Sequence, residues 1–205
     1  MKLSFATLGC PAWNLEQIVR NAQTLGFDGV ELRGIKGEHV GPEERPEFLT
    51  QLRARFQQAG VAVAAIMGYS TFTLADPAQR QESLRIARLL IGTAQQLGCP
   101  TLRVFGGGVA PTDDRAQAIA RVRAGLRELA PVAEQAGVRL ALETHDDWCV
   151  GANLRAVLQA VNSPAVGACW DIANSHFIEP TAQTFAASSE ASRSWRASSR
   201  TIPPR

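Results

Sequence analysis

The feature that most limits how this chain can fold is a junction that returns four times, in which an amphipathic helix ends in a glycine and an apolar strand follows within a few residues. The junctions read TLGFDGVEL, QAGVAVAAI, QLGCPTLRV and QAGVRLALE, with their glycines at Gly26, Gly60, Gly98 and Gly137. Glycine adopts the left-handed backbone conformation that closes many helices without a Cβ clash. Spacings of 34, 38 and 39 residues accommodate one helix, one strand and two loops. The chain is therefore expected to be a succession of βα units.

Within each unit the apolar residues return at helical period, as in Leu15, Ile18, Val19, Ala22 and Leu25, or Phe48, Leu49, Leu52, Phe56 and Ala59. Later stretches repeat this with Leu84, Ala87, Leu90, Ile91 and Ala94, then Ile119, Val122, Leu126 and Leu129, then Leu154, Val157, Leu158 and Val161. Five helices, each with one buried stripe, are expected. Between them lie LSFATL (3–8), GVELRG (29–34), VAVAAIMG (61–68), TLRVFG (101–106), RLALET (139–144) and AVGACWD (165–171). Such near-continuous apolar runs suit six strands of a parallel sheet wrapped by helices.

Strict alternation leaves two architectures, the doubly wound open sheet and the eight-stranded barrel. Polar residues choose between them, because Glu31, Arg33, Tyr69, Ser70, Arg103, Glu143, His145 and Asp171 all fall at the C-terminal ends of strands. A barrel gathers every strand end around one pocket, whereas an open sheet concentrates ligand groups at a single switch point. The expected fold class is α/β, a barrel of the (βα)8 type.

Residues 1–178 carry the six units. After Phe177 the segment IEPTAQTFAASSEASRSWRASSRTIPPR has Ser and Arg bias, a Pro-Pro pair and no apolar run able to serve as a strand. Residues 179–205 are expected to be disordered or foreign to the fold. A barrel of this type takes about 250 residues, so the architecture reads as truncated after about six units, by chain loss or a change of frame near residue 186. Open strand edges of such a barrel would offer a route to a homo-oligomer.

Composition narrows the partners. A net charge of +2, with both signs scattered along the chain, provides no basic face for nucleic acid and leaves small molecules as the expected ligands. The N-terminus MKLSFATLGCPAW lacks the pattern of a signal peptide, and nowhere do about eighteen consecutive apolar residues occur to span a membrane. Cys10, Cys99, Cys149 and Cys169 show neither CxxC pairing nor finger spacing. A disulfide framework or zinc ribbon is not expected, and a cytoplasmic protein is.

The chemistry concentrates in two segments. LALETHDDW puts Glu143 at a strand end with His145 two residues on, and positions two apart in a strand share a face. ACWDIANSHF ends the next strand on Asp171, followed by Asn174 and His176. Adjacent parallel strands lie about 4.8 Å apart, so carboxylates on neighbouring tips can reach one divalent ion. Oxygen ligands favour Mg²⁺ or Mn²⁺, and an added imidazole admits Co²⁺ or Zn²⁺. The alternative is that both carboxylates are solvated or paired with arginines such as Arg103. Arg103 and the following FGGGV offer a place for an anionic group, as successive glycine amides can form a nest, or equally a plain βα turn.

GFDGVELR on the second strand, LRVFGGG on the fourth, LALETH on the fifth and WDIANSH on the sixth together resemble the sugar phosphate isomerase/epimerase group of xylose isomerase-like TIM barrels. The resemblance covers about residues 1 to 178. It implies a divalent metal held by a Glu on strand five, an Asp on strand six, a His on strand seven and a Glu on strand eight. Glu143 and Asp171 match the first two, and the tail offers no match for the others. The resemblance further implies proton transfer through an enediolate of a sugar, sugar phosphate or related polyol or keto acid. Glu143 would be ligand and acid/base, while His145, Arg103, Glu31 and His176 are candidates for substrate contact. Many relatives carry a histidine three residues after the Asp, where this chain has Asn174. Competing readings are a non-catalytic barrel remnant and a metal-dependent apurinic-site endonuclease, the latter opposed by a chain with only three histidines and no basic stripe.

Overall fold

The computed structural model describes residues 2–34 and 39–178. Six strands alternate with six helices: β1 (Ser4–Ala6), α1 (Leu15–Thr24), β2 (Gly29–Arg33), α2 (Pro46–Ala59), β3 (Ala62–Met67), α3 (Pro77–Leu97), β4 (Thr101–Val104), α4 (Arg115–Ala136), β5 (Arg139–Glu143), α5 (Gly151–Val161), β6 (Val166–Cys169) and α6 (Ile172–Ile178). Every neighbouring pair is parallel, and the strands stand in chain order from β1 to β6. An order that never reverses has no switch point and is that of a barrel wall. The expected fold class, a (βα)8-type architecture of which about six units are present, is what the described residues form. The segment 179–205 and its boundary with the domain lie outside them. No helix among the described residues is long and apolar enough to cross a membrane.

Local chemistry accounts for the element ends. Gly60, Gly98 and Gly137 close α2, α3 and α4 in the left-handed conformation, with φ of 66°, 68° and 68°. Asn14 and Gln17 form a reciprocal capping box on α1, Asp76 caps α3, and Asp114 caps α4 through the amides of Ala116 and Gln117. Two outcomes differ from the sequence expectation. A sixth helix, α6, forms where five were expected. The last strand stops at Cys169 instead of running to Asp171, because Asp171 turns to cap α6, its Oδ1 accepting from Asn174 N at 2.8 Å.

The two faces of the sheet divide the labour. Val30 and Leu32, Leu102 and Val104, and Leu140 and Leu142 alternate toward the helices and are fully buried against Ile18, Leu49, Leu90, Leu126 and Leu154. The opposite, concave face carries the other half of each strand: Glu31 and Arg33 on β2, Arg103 on β4, Glu143 on β5 and Cys169 on β6. Small residues lie between them, as register pairs Glu31 with Ala6 and Ala65, and Arg103 with Ala141. Bulk on the outer face holds the wall together, and small residues on the inner face leave room around the charges.

Candidate active site

Glu143 ends β5 and is 7% exposed. Its Oε2 accepts from Arg103 Nη1 at 2.7 Å, while Arg103 Nη2 donates to Gly68 O at 2.9 Å. Register sets Glu143 beside Cys169, so their side chains share the concave face. Burial, followed by the negative charge of Glu143 and Glu31, pushes the Cys169 thiol up to about 12, and Asp171 adds to the same effect while Arg103 opposes it. The thiol is accordingly neutral at physiological pH and reports how closely these charges gather.

Asp171 lies one strand over, just beyond β6, and a hydroxyl cluster fixes it. Its backbone amide donates to Thr144 Oγ1 at 2.7 Å, and its carbonyl accepts from Ser175 Oγ at 2.7 Å. Thr144 and Ser175 are both fully buried. The residue after Glu143 thus anchors Asp171, coupling the two carboxylate positions through one side chain. Thr144 was not singled out by sequence, although its place directly behind a strand-end carboxylate was the available signal.

An aromatic wall borders Glu143. The Arg103 Cζ lies 4.2 Å from the Phe105 ring centroid and 4.8 Å from that of Tyr69, and the His145 ring meets Phe105 in an edge contact at 4.8 Å. His145 Nδ1 stands 2.9 Å from Asp146 Oδ2, near enough for ionic contact but without hydrogen-bond alignment. Asp146 itself has φ of 49°, a left-handed conformation that aspartate tolerates better than most residues. Phe105 also escaped the sequence reading, though its position two residues after Arg103 predicts the shared face.

The remaining candidates are placed apart from this cluster or are engaged within it. Glu31 lies on the concave face with its Oε1 accepting from Ser4 Oγ at 2.8 Å. His176 is exposed on α6 with its ring against Phe177. Of the glycines after Phe105, Gly106 and Gly107 have a packing role: a Cβ on Gly106 would stand 2.0 Å from Trp148 Nε1, and one on Gly107 2.5 Å from Thr73 Oγ1, while Trp148 Nε1 donates to Gly107 O at 2.7 Å. His39, also missed, is buried and joins Thr7 Oγ1 to Trp13 O, with 3.0 Å to each. A cavity of about 800 Å³ lies at the opposite ends of the strands, against Ser4, Gly29, Ala62 and Pro100, away from Glu143.

No group of three His, Cys, Asp or Glu side chains converges on a cation position among the described residues. The donor chemistry still fits a divalent ion in part. Glu143 Oε1 and Asp171 Oδ2 carry none of the described hydrogen bonds, leaving one carboxylate oxygen on each of two neighbouring units.

Comparison with known proteins places the fold. Fructoselysine 3-epimerase of Shigella flexneri is 28% identical over 185 residues, covering 84% of this chain and 66% of the relative. The chain thus spans just under two thirds of that relative's length. Among solved structures, L-ribulose 3-epimerase superposes with a TM-score of 0.75 at 20% identity, over 88% of this chain and 64% of the other. The IolI protein with a bound zinc atom gives a TM-score of 0.72 at 22% identity, over 86% and 64%. The sequence profile of the xylose isomerase-like TIM-barrel family matches residues 19–195. With six parallel βα units in barrel order and a match over most of its length, the chain belongs to the xylose isomerase-like TIM-barrel family.

Proposed function

We propose that this chain acts in a metal-dependent sugar isomerase or epimerase, with Glu143 as acid/base and Glu143 and Asp171 as two ligands of a divalent cation. The observation that carries the reading is a buried strand-end carboxylate beside a second, rigidly anchored one on the next unit. Similarity to ketose and fructoselysine epimerases supports a sugar or sugar-derived substrate, and the zinc in a similar structure supports a cation in such a site. When bound, the cation (Mn²⁺, Mg²⁺, Co²⁺ or Zn²⁺) lowers the cost of negative charge developing on a sugar oxygen.

The chain's own residues supply the rest. In this reading Glu143 removes the proton on the carbon beside a carbonyl, giving an enediolate, and burial keeps water from competing for that proton. Phe105 and Tyr69 offer apolar faces to the C–H surface of a sugar, and His145 stands at the same edge to hydrogen-bond a hydroxyl. Return of the proton on the opposite face requires a second acid/base, which the resemblance assigns to an eighth strand. The four cysteines are free thiols, which suits a cytoplasmic location. β1 and β6 each pair on one side among the described residues, and a second copy of the chain is the proposed partner for those edges.

Calorimetric titration of Mn²⁺ into the purified chain, with ketose epimerisation assayed in parallel, tests the reading. Micromolar binding is expected, weakened by Glu143→Gln and by Asp171→Asn at least as much as the roughly tenfold that loss of an outer-shell partner costs. No binding by the wild type leaves the non-catalytic barrel as the correct reading.

A further inference from the structure

Arg103 occupies the centre of the site in an enclosed position. The residue is 8% exposed, each terminal nitrogen already serves a protein oxygen, and two aromatic rings lie within 5 Å of its Cζ. Its Nε is closed off from solvent and has no hydrogen-bond partner. An anchor for an anionic or hydroxylated substrate presents its N–H groups to the space the ligand enters. This guanidinium instead faces protein on every side that the described contacts define.

The bonds it makes are spread in an informative way. Gly68 follows β3, Arg103 lies on β4 and Glu143 ends β5. One side chain therefore ties three consecutive strands together at the level of the candidate site. The planar fork of an arginine meets two acceptors at a fixed separation, which a lysine ammonium does not reproduce. Leaving Nε without a partner is a cost that packing alone gives no reason to accept.

We propose that Arg103 is a positioning residue for Glu143 and not a substrate contact. It fixes the carboxylate through Oε2, so that Oε1 is the oxygen left for a cation or a substrate proton. The proposal deepens the metal-dependent reading above and rests on it.

Two opposite expectations separate positioning from plain electrostatics. A guanidinium near a cation site repels the cation, so on charge alone Arg103→Met would tighten Mn²⁺ binding. If Arg103 sets the geometry of a ligand, the same substitution weakens binding although a positive charge has been removed. Calorimetry with Mn²⁺ on the wild type and Arg103→Met is expected to show about a tenfold weakening, close to what loss of a group orienting a ligand produces. Millimolar guanidinium should restore part of the affinity in the variant, while equal sodium should not. In the epimerisation assay, Arg103→Lys should lower kcat with little change in KM, as a substrate contact would not.

Equal or tighter Mn²⁺ binding by Arg103→Met overturns the proposal and leaves the metal reading intact. A wild type that binds no Mn²⁺ overturns both. Should Arg103→Met fail to fold by circular dichroism, Arg103→Lys takes its place, where severalfold weaker binding upholds the proposal and unchanged affinity ends it.

Discussion

Gly106 has no space for a side chain, because Trp148 lies where its Cβ would go, at 2.0 Å from the nearest atom. Gly106→Ala is expected to cost several kcal/mol, on the order of an overpacked core substitution or more, read as a fall in the denaturant midpoint. The Arg103–Glu143 pair has both side chains 9% exposed. Breaking it from one side leaves a buried charge uncompensated, and Arg103→Met should destabilise the fold by about 3–5 kcal/mol. The double variant with Glu143→Gln should recover much of that loss in the same melt, while an additive result would show that the two do not interact. Burial pushes the Cys99 thiol up to about 12 from an ordinary 9.0. The folded pKa is the raised one, so the contribution of this thiol is intact below pH 9 and is lost between pH 9 and 12, by about 1.4 kcal/mol per pH unit. Cys99→Ala should flatten the alkaline limb of the stability curve by that slope, measured by urea unfolding.

At the scale of elements, Asp114 accepts from two amides at the start of a 22-residue helix. Asp114→Ala should cost about 1 kcal/mol, checked by thermal melting, as expected for loss of an N-cap. The helices and their glycine ends were legible in the sequence because a period of 3.6 residues and a left-handed closing residue are both local properties. Strand order was legible only through the polar tips, of which Arg103 lies on β4 and Glu143 ends β5. Asp171 shows where local reading stops. The sequence pattern extends its strand to the carboxylate, but the side chain has a nearer partner in the Asn174 amide, and helix capping ends the strand two residues early. The pairing of Arg103 with Glu143, 40 residues away, depends on register between strands. Register is a tertiary fact, which is why Arg103 stays open in the sequence between a ligand-binding residue and a partner of the carboxylates, and only the structure pairs it with Glu143.

Across the whole molecule, one layer of bulk outside and one of charges among small residues inside explain how the fold tolerates buried ionic groups. The outer layer supplies stability through apolar burial that does not involve the site. The inner layer is then open to chemistry. Substitutions in the two layers should separate in effect: Leu142→Ala should lower stability by about 2–5 kcal/mol without altering the cation affinity of the folded fraction. Asp171→Asn, whose amide oxygen can still accept from Asn174 N, should do the reverse. Unfolding and calorimetry on the same samples decide this, and a shared loss in both variants would mean that wall and site are not independent.

The unbroken β1-to-β6 order bears on how the chain comes to be folded at all. From β2 to β6 each strand docks on the one translated just before it, so within this span loop-closure costs stay those of a single unit. A chain emerging from the ribosome can thus build its wall in the order of synthesis. On that timetable the span from β3 to β5 is the first stretch able to join Gly68, Arg103 and Glu143. The site would begin to assemble once the fifth unit has emerged and before β6 is paired.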